Sequence, residues 1–129
     1  MIDLRDLALA AGFRLSLDPT AEVESSRAER RWLIRIDARY GWIGTHSTDR
    51  LAVCCTARRL FARLEAIGSL RVRQRGDEEM TASFDPADLP AVAGIIRAYR
   101  RQRLSDTERA RRAERARGLA TRRKTVRQD

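Results

Sequence analysis

The 129-residue chain lacks several features that mark common classes of protein. It has no run of about 18 apolar residues, the length that a membrane-spanning helix requires. Its N-terminal stretch carries Asp3, Arg5 and Asp6 among the apolar residues, which is unlike a secretory signal peptide. Two cysteines and one histidine are too few for a closed zinc site. We therefore expect a cytoplasmic protein that holds no metal and does not enter a membrane.

The sequence also offers little for catalysis or for a cofactor. Gly41 and Gly44 are isolated, and no Gly-Lys-Ser/Thr sequence forms a phosphate-binding loop. His46 precedes Cys54 by eight residues and Cys55 by nine, and a cysteine with a histidine can act as nucleophile and base. Both cysteines lie in an apolar stretch, however, where thiols are usually buried and inert. We expect reduced core cysteines, no cofactor and no enzymatic activity; a small enzyme using His46 or a cysteine is the minor alternative.

Lysine is nearly absent, so the positive charge is almost entirely arginine. The 27 basic residues are 26 arginines and Lys124, and with 18 acidic residues they give a net charge of +9. Residues 1–96 hold 14 arginines and 14 acidic residues, whereas residues 97–129 hold 13 basic and four acidic residues. The whole net charge therefore lies in the last quarter of the chain. Such a block is typical of an arm that contacts nucleic acid; a solvated helix that only aids solubility is the alternative.

Hydrophobic periodicity predicts an α+β fold, with a largely antiparallel sheet of about five to six strands, two packed helices and a basic C-terminal helix. The predicted strands cover 13–18, 32–37, 40–44, 51–55, 70–75 and 80–84. The predicted helices cover 3–11, 56–67 and a stretch that begins at Pro86 and continues through Arg97 and Arg101. The buried stripe of this last helix carries Leu89, Val92, Ile96 and Tyr99.

We place a boundary after residue 104. Residues 1–104 are predicted to form a compact α+β domain, and residues 105–129 an Arg-rich helix and a disordered basic tail. Ser105 to Glu108 matches a capping box that would open the last helix. Because alanines fill most of the positions between its arginines, this helix can bury little. We expect it to fray alone and to become ordered when a polyanion neutralises it.

The hairpin formed by 70–75 and 80–84 has a register that polarity constrains. A three-residue loop would place Arg71 opposite Ser83 and Arg73 opposite Thr81. Arg71, Arg73 and Arg75 would then lie in a row on one exposed face, about 6.6 Å apart. This row is either a second surface that follows a nucleic-acid backbone or a solvated face that the acidic turn partly neutralises.

Basic and aromatic residues are also concentrated between residues 30 and 42. Aromatic side chains among arginines can stack on bases while the arginines hold phosphates, although no ribonucleoprotein-type motif is present. Trp32 alternates with Ile34 and Ile36, so we expect it in the core, as we do Trp42. Tyr40 and Trp42 flank Gly41 at a predicted strand end, and both are better candidates for exposure than Trp32. The group comprises Arg30, Arg31, Trp32, Arg35, Arg39, Tyr40 and Trp42.

Four short motifs resemble a group of short basic bacterial proteins, found partly in mobile or phage-derived regions. They are Arg-Tyr-Gly-Trp-Ile at 39–43, Arg-Leu-Ala at 50–52, Gln-Arg-Gly-Asp at 74–77 and Arg-Arg-Gln-Arg-Leu-Ser at 100–105. The resemblance covers most of residues 13–110. It implies a bacterial or phage source and no particular activity.

The sequence thus predicts a non-enzymatic protein that binds DNA or RNA, mainly through phosphates. The alternative is a protein–protein interaction module, an accessory or inhibitory subunit that docks on an acidic or RNA-loaded complex. The predicted phosphate contacts are Arg97, Arg100, Arg101, Arg103, Arg109, Arg111, Arg112, Arg115, Arg117, Arg122, Arg123 and Lys124, with Arg71, Arg73 and Arg75 as a possible second surface.

Overall fold

The computed structural model describes residues 2–18, 32–101 and 110–118. Six antiparallel strands form one sheet in the order β1-β2-β3-β4-β6-β5, which with its helices confirms the predicted α+β fold. The strands are β1 Leu15–Leu17, β2 Ile34–Ala38, β3 Gly41–Thr45, β4 Leu51–Cys55, β5 Arg71–Arg75 and β6 Met80–Phe84. The helices are α1 Leu4–Ala11, α2 Phe61–Glu65, α3 Leu89–Ile96 and α4 over 110–118.

Local signals set the ends of the first helix. The Asp3 side chain accepts a hydrogen bond from the Arg5 backbone N–H at 2.9 Å, which satisfies one free donor of the first turn. Gly12 ends α1 in the left-handed conformation, with φ at 80°, where glycine has no steric penalty. The predicted start and end of α1 are therefore confirmed.

The core lies between one face of the sheet and the helices α1, α2 and α3. The central strands β4 and β6 pair with their apolar residues in register, and the helices add side chains to the same cluster. Each large side chain fully buried here contributes about 1.5–3 kcal/mol to folding. The largest buried members are Phe61, Phe84, Leu4, Ile36, Ile43, Leu51, Leu64, Met80 and Ile96.

Two tryptophans do not lie where the sequence predicts. Trp32 is 46% exposed, because β2 begins only at Ile34 and the alternation does not extend back to it. Trp42 is half-buried and alternates with Ile43, so it lies on the sheet face opposite the helices. The prediction that both tryptophans are core residues is wrong.

The second helix begins later than predicted. A 3₁₀ turn at Arg58–Leu60 precedes α2, and Ala57 rather than Thr56 lies at its N-cap. The Thr56 N–H is engaged elsewhere, because it donates to the Tyr40 carbonyl at 2.9 Å and so extends the pairing of β4 with β3.

The chain after α3 also departs from the prediction. We expected the helix to continue through Arg101 with Tyr99 on its buried stripe. Instead α3 ends at Ile96, and Arg97 adopts the left-handed conformation with φ at 56° and ψ at 64°. Tyr99 is 42% exposed as a result.

Backbone hydrogen bonds account for this early helix end. After the left-handed turn at Arg97, residues 98–101 cross one end of the sheet, and the chain from Ile96 to Arg101 bonds to segments distant in sequence. These tertiary bonds replace the helical bonds that continuing α3 would form, and no local sequence pattern reveals them. They join Arg14 N to Tyr99 O (2.9 Å), Arg39 N to Arg97 O (3.0 Å), Tyr40 N to Ile96 O (3.1 Å), Tyr99 N to Asp37 O (2.9 Å) and Arg101 N to Gly12 O (2.8 Å).

The hairpin keeps the predicted register at one end and loses it at the other. Arg71 pairs with Ser83 as expected, but Arg75 pairs with Met80 because the register shifts around Arg73. A β-bulge of this kind places one extra residue in one strand. The prediction of three arginines in a row on one face is therefore wrong.

The turn explains the bulge. The Gly76 N–H donates to the Glu79 carbonyl at 2.8 Å, which closes a four-residue turn instead of the expected three-residue loop. Because the turn takes one more residue from the β6 side, β5 needs one extra residue to restore its pairing. Arg75 then lies on the helix-covered face, opposite the fully buried Met80.

The part of the chain that the structure describes contains no helix long and apolar enough to cross a membrane.

We predict that residues 1–104 fold without the basic arm, because the described core ends at Ile96 and residues 97–101 complete the sheet end. Deleting 105–129 should preserve a cooperative thermal transition followed by circular dichroism. Deleting 97–129 is the matched control, and it should lower the melting temperature because it also removes four of the five tertiary backbone bonds. A non-cooperative melt of residues 1–104 would show that the arm packs into the core.

A second prediction concerns Gly41, whose φ is 140° and whose Cα lies against β4. A Cβ there would overlap the Cys54 carbonyl oxygen, so Gly41→Ala must displace backbone. We expect a loss of about 2 kcal/mol or more of unfolding free energy in urea denaturation. Gly68→Ala is the control, since a Cβ at Gly68 meets nothing within 4 Å. Equal stability of the two variants would contradict the close approach.

Candidate functional site

Four chain segments meet at one end of the sheet, which we call the Tyr40 end. The β2–β3 turn supplies Tyr40 itself, and the exit of β4 leads into the 3₁₀ turn that carries Arg59. Residues 97–101 cross this end and bond to the β2–β3 turn on one side. They bond to residues 12–14, between α1 and β1, on the other. Arginines distant in sequence are thereby brought together.

Three guanidinium groups surround the Tyr40 ring. The Cζ atoms of Arg59, Arg39 and Arg97 lie 4.6, 5.3 and 5.9 Å from the ring centroid. Each distance is within the range of a cation–π interaction, which fixes the guanidiniums around the ring without neutralising them. All three arginines are exposed. We call them with Tyr40 the Tyr40 cluster.

The pKa of the Tyr40 phenol reports the positive potential of this cluster. Burial alone would raise that pKa, but a hydrogen bond from Arg59 and the charges of Arg39, Arg59 and Arg97 together lower it below its ordinary value. A place where a phenolate is favoured is a place where other anions are favoured too.

None of the three cluster arginines forms an ion pair with any residue that the structure describes. Other arginines of the domain do: Arg35 lies 3.6 Å from Asp37, and Arg75 lies 3.3 Å from Glu65. The acidic β5–β6 turn is also at this end of the sheet, and its Glu79 reaches β4, where it bonds to Cys54 rather than to an arginine of the cluster.

The segment 97–101 extends the positive surface beyond the cluster. Arg14 lies over the Tyr99 ring at 4.8 Å, and Arg100 lies over the Phe13 ring at 5.2 Å. Arg100 also donates from Nη1 to the Ala11 carbonyl at 3.3 Å. The rings orient these guanidiniums while both remain exposed. The surface therefore continues from Tyr40 to the point where the chain leaves the sheet.

The basic arm is described only over α4. The predicted helix is present there, and each of its residues is exposed, including Arg111, Arg112, Arg115 and Arg117. Its predicted beginning lies outside the described residues. The same holds for five predicted phosphate contacts: Arg103, Arg109, Arg122, Arg123 and Lys124.

The three arginines of the β5–β6 hairpin do not form one common surface. Arg75 turns toward α2, where it pairs with Glu65 and lies 5.7 Å from the Phe61 ring centroid. Arg73 donates from Nη1 to Nδ1 of His46 at 2.7 Å, near the end of the sheet opposite Tyr40. Only Arg71 keeps an exposed guanidinium without such a partner among the described residues. The second surface expected from the sequence is therefore reduced to scattered charges.

Sequence reasoning missed Arg14 and Arg59 and did not commit to Arg39. Arg39 stood out only by its position next to Tyr40. Arg14 and Arg59 carry no signal of their own, because the contacts that give them a role come from residues at least 19 positions away. Of the predicted contacts, Arg97, Arg100 and Arg101 do lie at this end of the sheet.

The residues considered for catalysis lie apart. Trp42 pairs with Cys54, and His46 lies four residues beyond Trp42 along β3, so about 13 Å separates the histidine from that cysteine. A nucleophile and its base need direct hydrogen-bond contact. Arg73 donates to His46, and burial, with the charges of Arg73 and Arg50, lowers the histidine pKa. Within the described ranges no three His, Cys, Asp or Glu side chains cluster as metal ligands.

Both cysteines are free and buried, which confirms the predicted core location. Burial, with the charge and hydrogen bond of Glu79, raises the pKa of Cys54 to about 12. Burial likewise raises the pKa of Cys55. Neither thiol is activated.

We predict that iodoacetamide barely modifies the native protein at pH 8, because only about one part in ten thousand of a thiol with pKa 12 is ionised there. Mass spectrometry should show two added groups per chain only after denaturant is added. Rapid labelling of Cys54 or Cys55 in the native state would revive a redox or nucleophilic role.

A further prediction concerns the ionisation of the Tyr40 phenol. Tyr40 and Tyr99 are the only tyrosines, so Tyr99→Phe isolates the Tyr40 titration in tyrosinate absorbance. Tyr40 should ionise below the ordinary tyrosine pKa, and Arg59→Gln should raise its midpoint because a donor and a charge are lost. Arg5→Gln, in α1, is the control and should leave it unchanged. An unchanged midpoint in Arg59→Gln would contradict the geometry.

No protein-family model, curated protein or solved structure matches this chain.

Proposed function

We propose that this protein is a non-enzymatic nucleic-acid-binding protein that binds phosphates through the Tyr40 cluster, the segment 97–101 and the arginines of α4. The observation that carries the proposal is three exposed guanidiniums around one ring, with no carboxylate partner among the described residues. Guanidiniums present a planar fork of donors that matches a phosphate.

Electrostatics favour an anionic partner at this place. Like charges fixed around one ring repel one another, and a bound phosphate removes that repulsion. The lowered pKa of Tyr40 reports the same preference for negative charge. Arg35 and Arg75 have carboxylate partners among the described residues, whereas Arg39, Arg59 and Arg97 have none and lie together around one ring.

The continuity of the surface favours a polyanion over a single anion. The segment 97–101 starts at the cluster and carries exposed Arg100 and Arg101 beyond it, and the exposed arginines of α4 follow later in the sequence. A polymer with a phosphate on every residue can occupy such an extended surface. Because motifs that read bases are absent from the sequence, binding should depend weakly on sequence.

The salt dependence of binding tests this proposal. Each phosphate contact releases counterions, so log K falls with log salt by about 0.9 per contact on duplex DNA. We expect a slope of about −4 to −7 for the full chain on mixed-sequence DNA or RNA, measured by fluorescence anisotropy. The triple variant Arg39→Gln, Arg59→Gln and Arg97→Gln should flatten the slope by about 2–3.

The matched control removes three charges from the other end of the sheet. Arg5→Gln, Arg71→Gln and Arg73→Gln together change the net charge equally, and we expect the slope to fall by less than one contact. Equal effects of both triple variants would show that only net charge matters. No binding to duplex or single strands at about 50 mM salt, where the electrostatic attraction is strong, would favour the protein-docking alternative.

A further inference from the structure

A cleft of about 310 Å³ opens beside the Tyr40 cluster, between α3 and the segment that follows it. Its wall is formed by small or aromatic residues, among them Ala11, Phe13, Pro90 and Gly94. Arg97 and Arg100 also line the cleft. This volume is at the lower end of the range for small-molecule sites, which suits one planar ring and excludes a helix or a strand of protein.

The cleft exists because α3 ends abruptly. The left-handed turn at Arg97 folds the chain back beside its own helix, so Arg97 and Arg100 both come to line the opening. A non-glycine residue in this conformation is uncommon and costs free energy. The backbone bonds of residues 97–101 hold it in place. A Cβ at Gly94 would meet nothing within 4 Å, so a larger side chain at this position would extend into open space beside the cleft.

The charges of the cleft are complementary to a nucleotide strand. Arg97 contacts both the Tyr40 ring and the cleft, so it joins the phosphate-binding surface to an apolar recess. Arg100 is held over Phe13 and uses Nη1 on the Ala11 carbonyl, which leaves its other donors available. Neither arginine pairs with a carboxylate of the described residues. An apolar recess flanked by two guanidiniums matches a base flanked by two phosphates.

We propose that this cleft holds one unstacked base of a single strand, with the neighbouring phosphates on Arg97 and Arg100. This inference rests on the proposed function and adds to it a preference for single-stranded over duplex nucleic acid. Bases in a duplex are stacked and cannot enter, whereas an unpaired base can pack against the small side chains of the wall and the planes of the Arg97 and Arg100 guanidiniums.

The test compares a thymidine oligonucleotide with an abasic strand of the same length, which keeps the phosphates and lacks the bases. The full chain should bind the thymidine strand at least about fivefold more tightly, since stacking contributes that much per base. Gly94→Phe, which fills the cleft, should abolish this preference and leave duplex affinity within about twofold of the control Gly94→Ala. Arg97→Gln with Arg100→Gln should weaken binding to both strands.

The outcomes separate this inference from the proposed function. Equal binding of the two strands by the unmodified chain would overturn the base-binding cleft and leave phosphate binding intact. A preference that persists in Gly94→Phe would overturn the assignment to this cleft. If neither strand nor duplex binds, the proposed function fails and the inference fails with it. Unchanged duplex affinity also shows that the Gly94 variants are folded.

Discussion

The placement of residues 97–101 across the end of the sheet is the constraint on which the rest of the site depends. Four backbone hydrogen bonds join this segment to residues 12–14 and 37–39, a fifth joins Tyr40 to Ile96, and together they hold Arg97 in a left-handed conformation. Without them α3 would continue as a helix and Arg97 would not lie beside the Tyr40 ring. The cleft would have no second wall.

The same constraint separates two uses of arginine in one small domain. Arg35 and Arg75 are matched by carboxylates and contribute to the packed structure. Arg39, Arg59 and Arg97 are oriented by an aromatic ring and keep their charge unmatched among the described residues. A ring orients a guanidinium without neutralising it, so this arrangement suits a surface that binds an anion.

The elements that local sequence patterns determine were predictable from the sequence. Asp3 and Gly12 lie at the two ends of α1, and the six strands lie close to their predicted positions. Cys54 and Cys55 are buried in the central strand β4. These features follow from caps, alternation and apolar runs, which act over a few residues.

The errors arose where distant contacts decide the conformation. The helical pattern through Arg101 was overridden by tertiary backbone bonds, and the row of hairpin arginines was broken by a four-residue turn that forces a bulge. Trp32 alternates correctly with Ile34, but the strand does not reach it. The candidate site could be foreseen only at Arg97, Arg100 and Arg101, because Arg14, Arg39 and Arg59 join it through the fold.

Arginine footprinting tests the central claim most directly. A dicarbonyl reagent that modifies exposed guanidiniums, mapped by mass spectrometry with and without a saturating oligonucleotide, reports which arginines a strand covers. The account predicts protection of Arg39, Arg59 and Arg97 while Arg5 and Arg71 remain as reactive as in the free protein. Bound nucleic acid that leaves the three cluster arginines fully reactive, or that protects Arg5 and Arg71 equally, would contradict it.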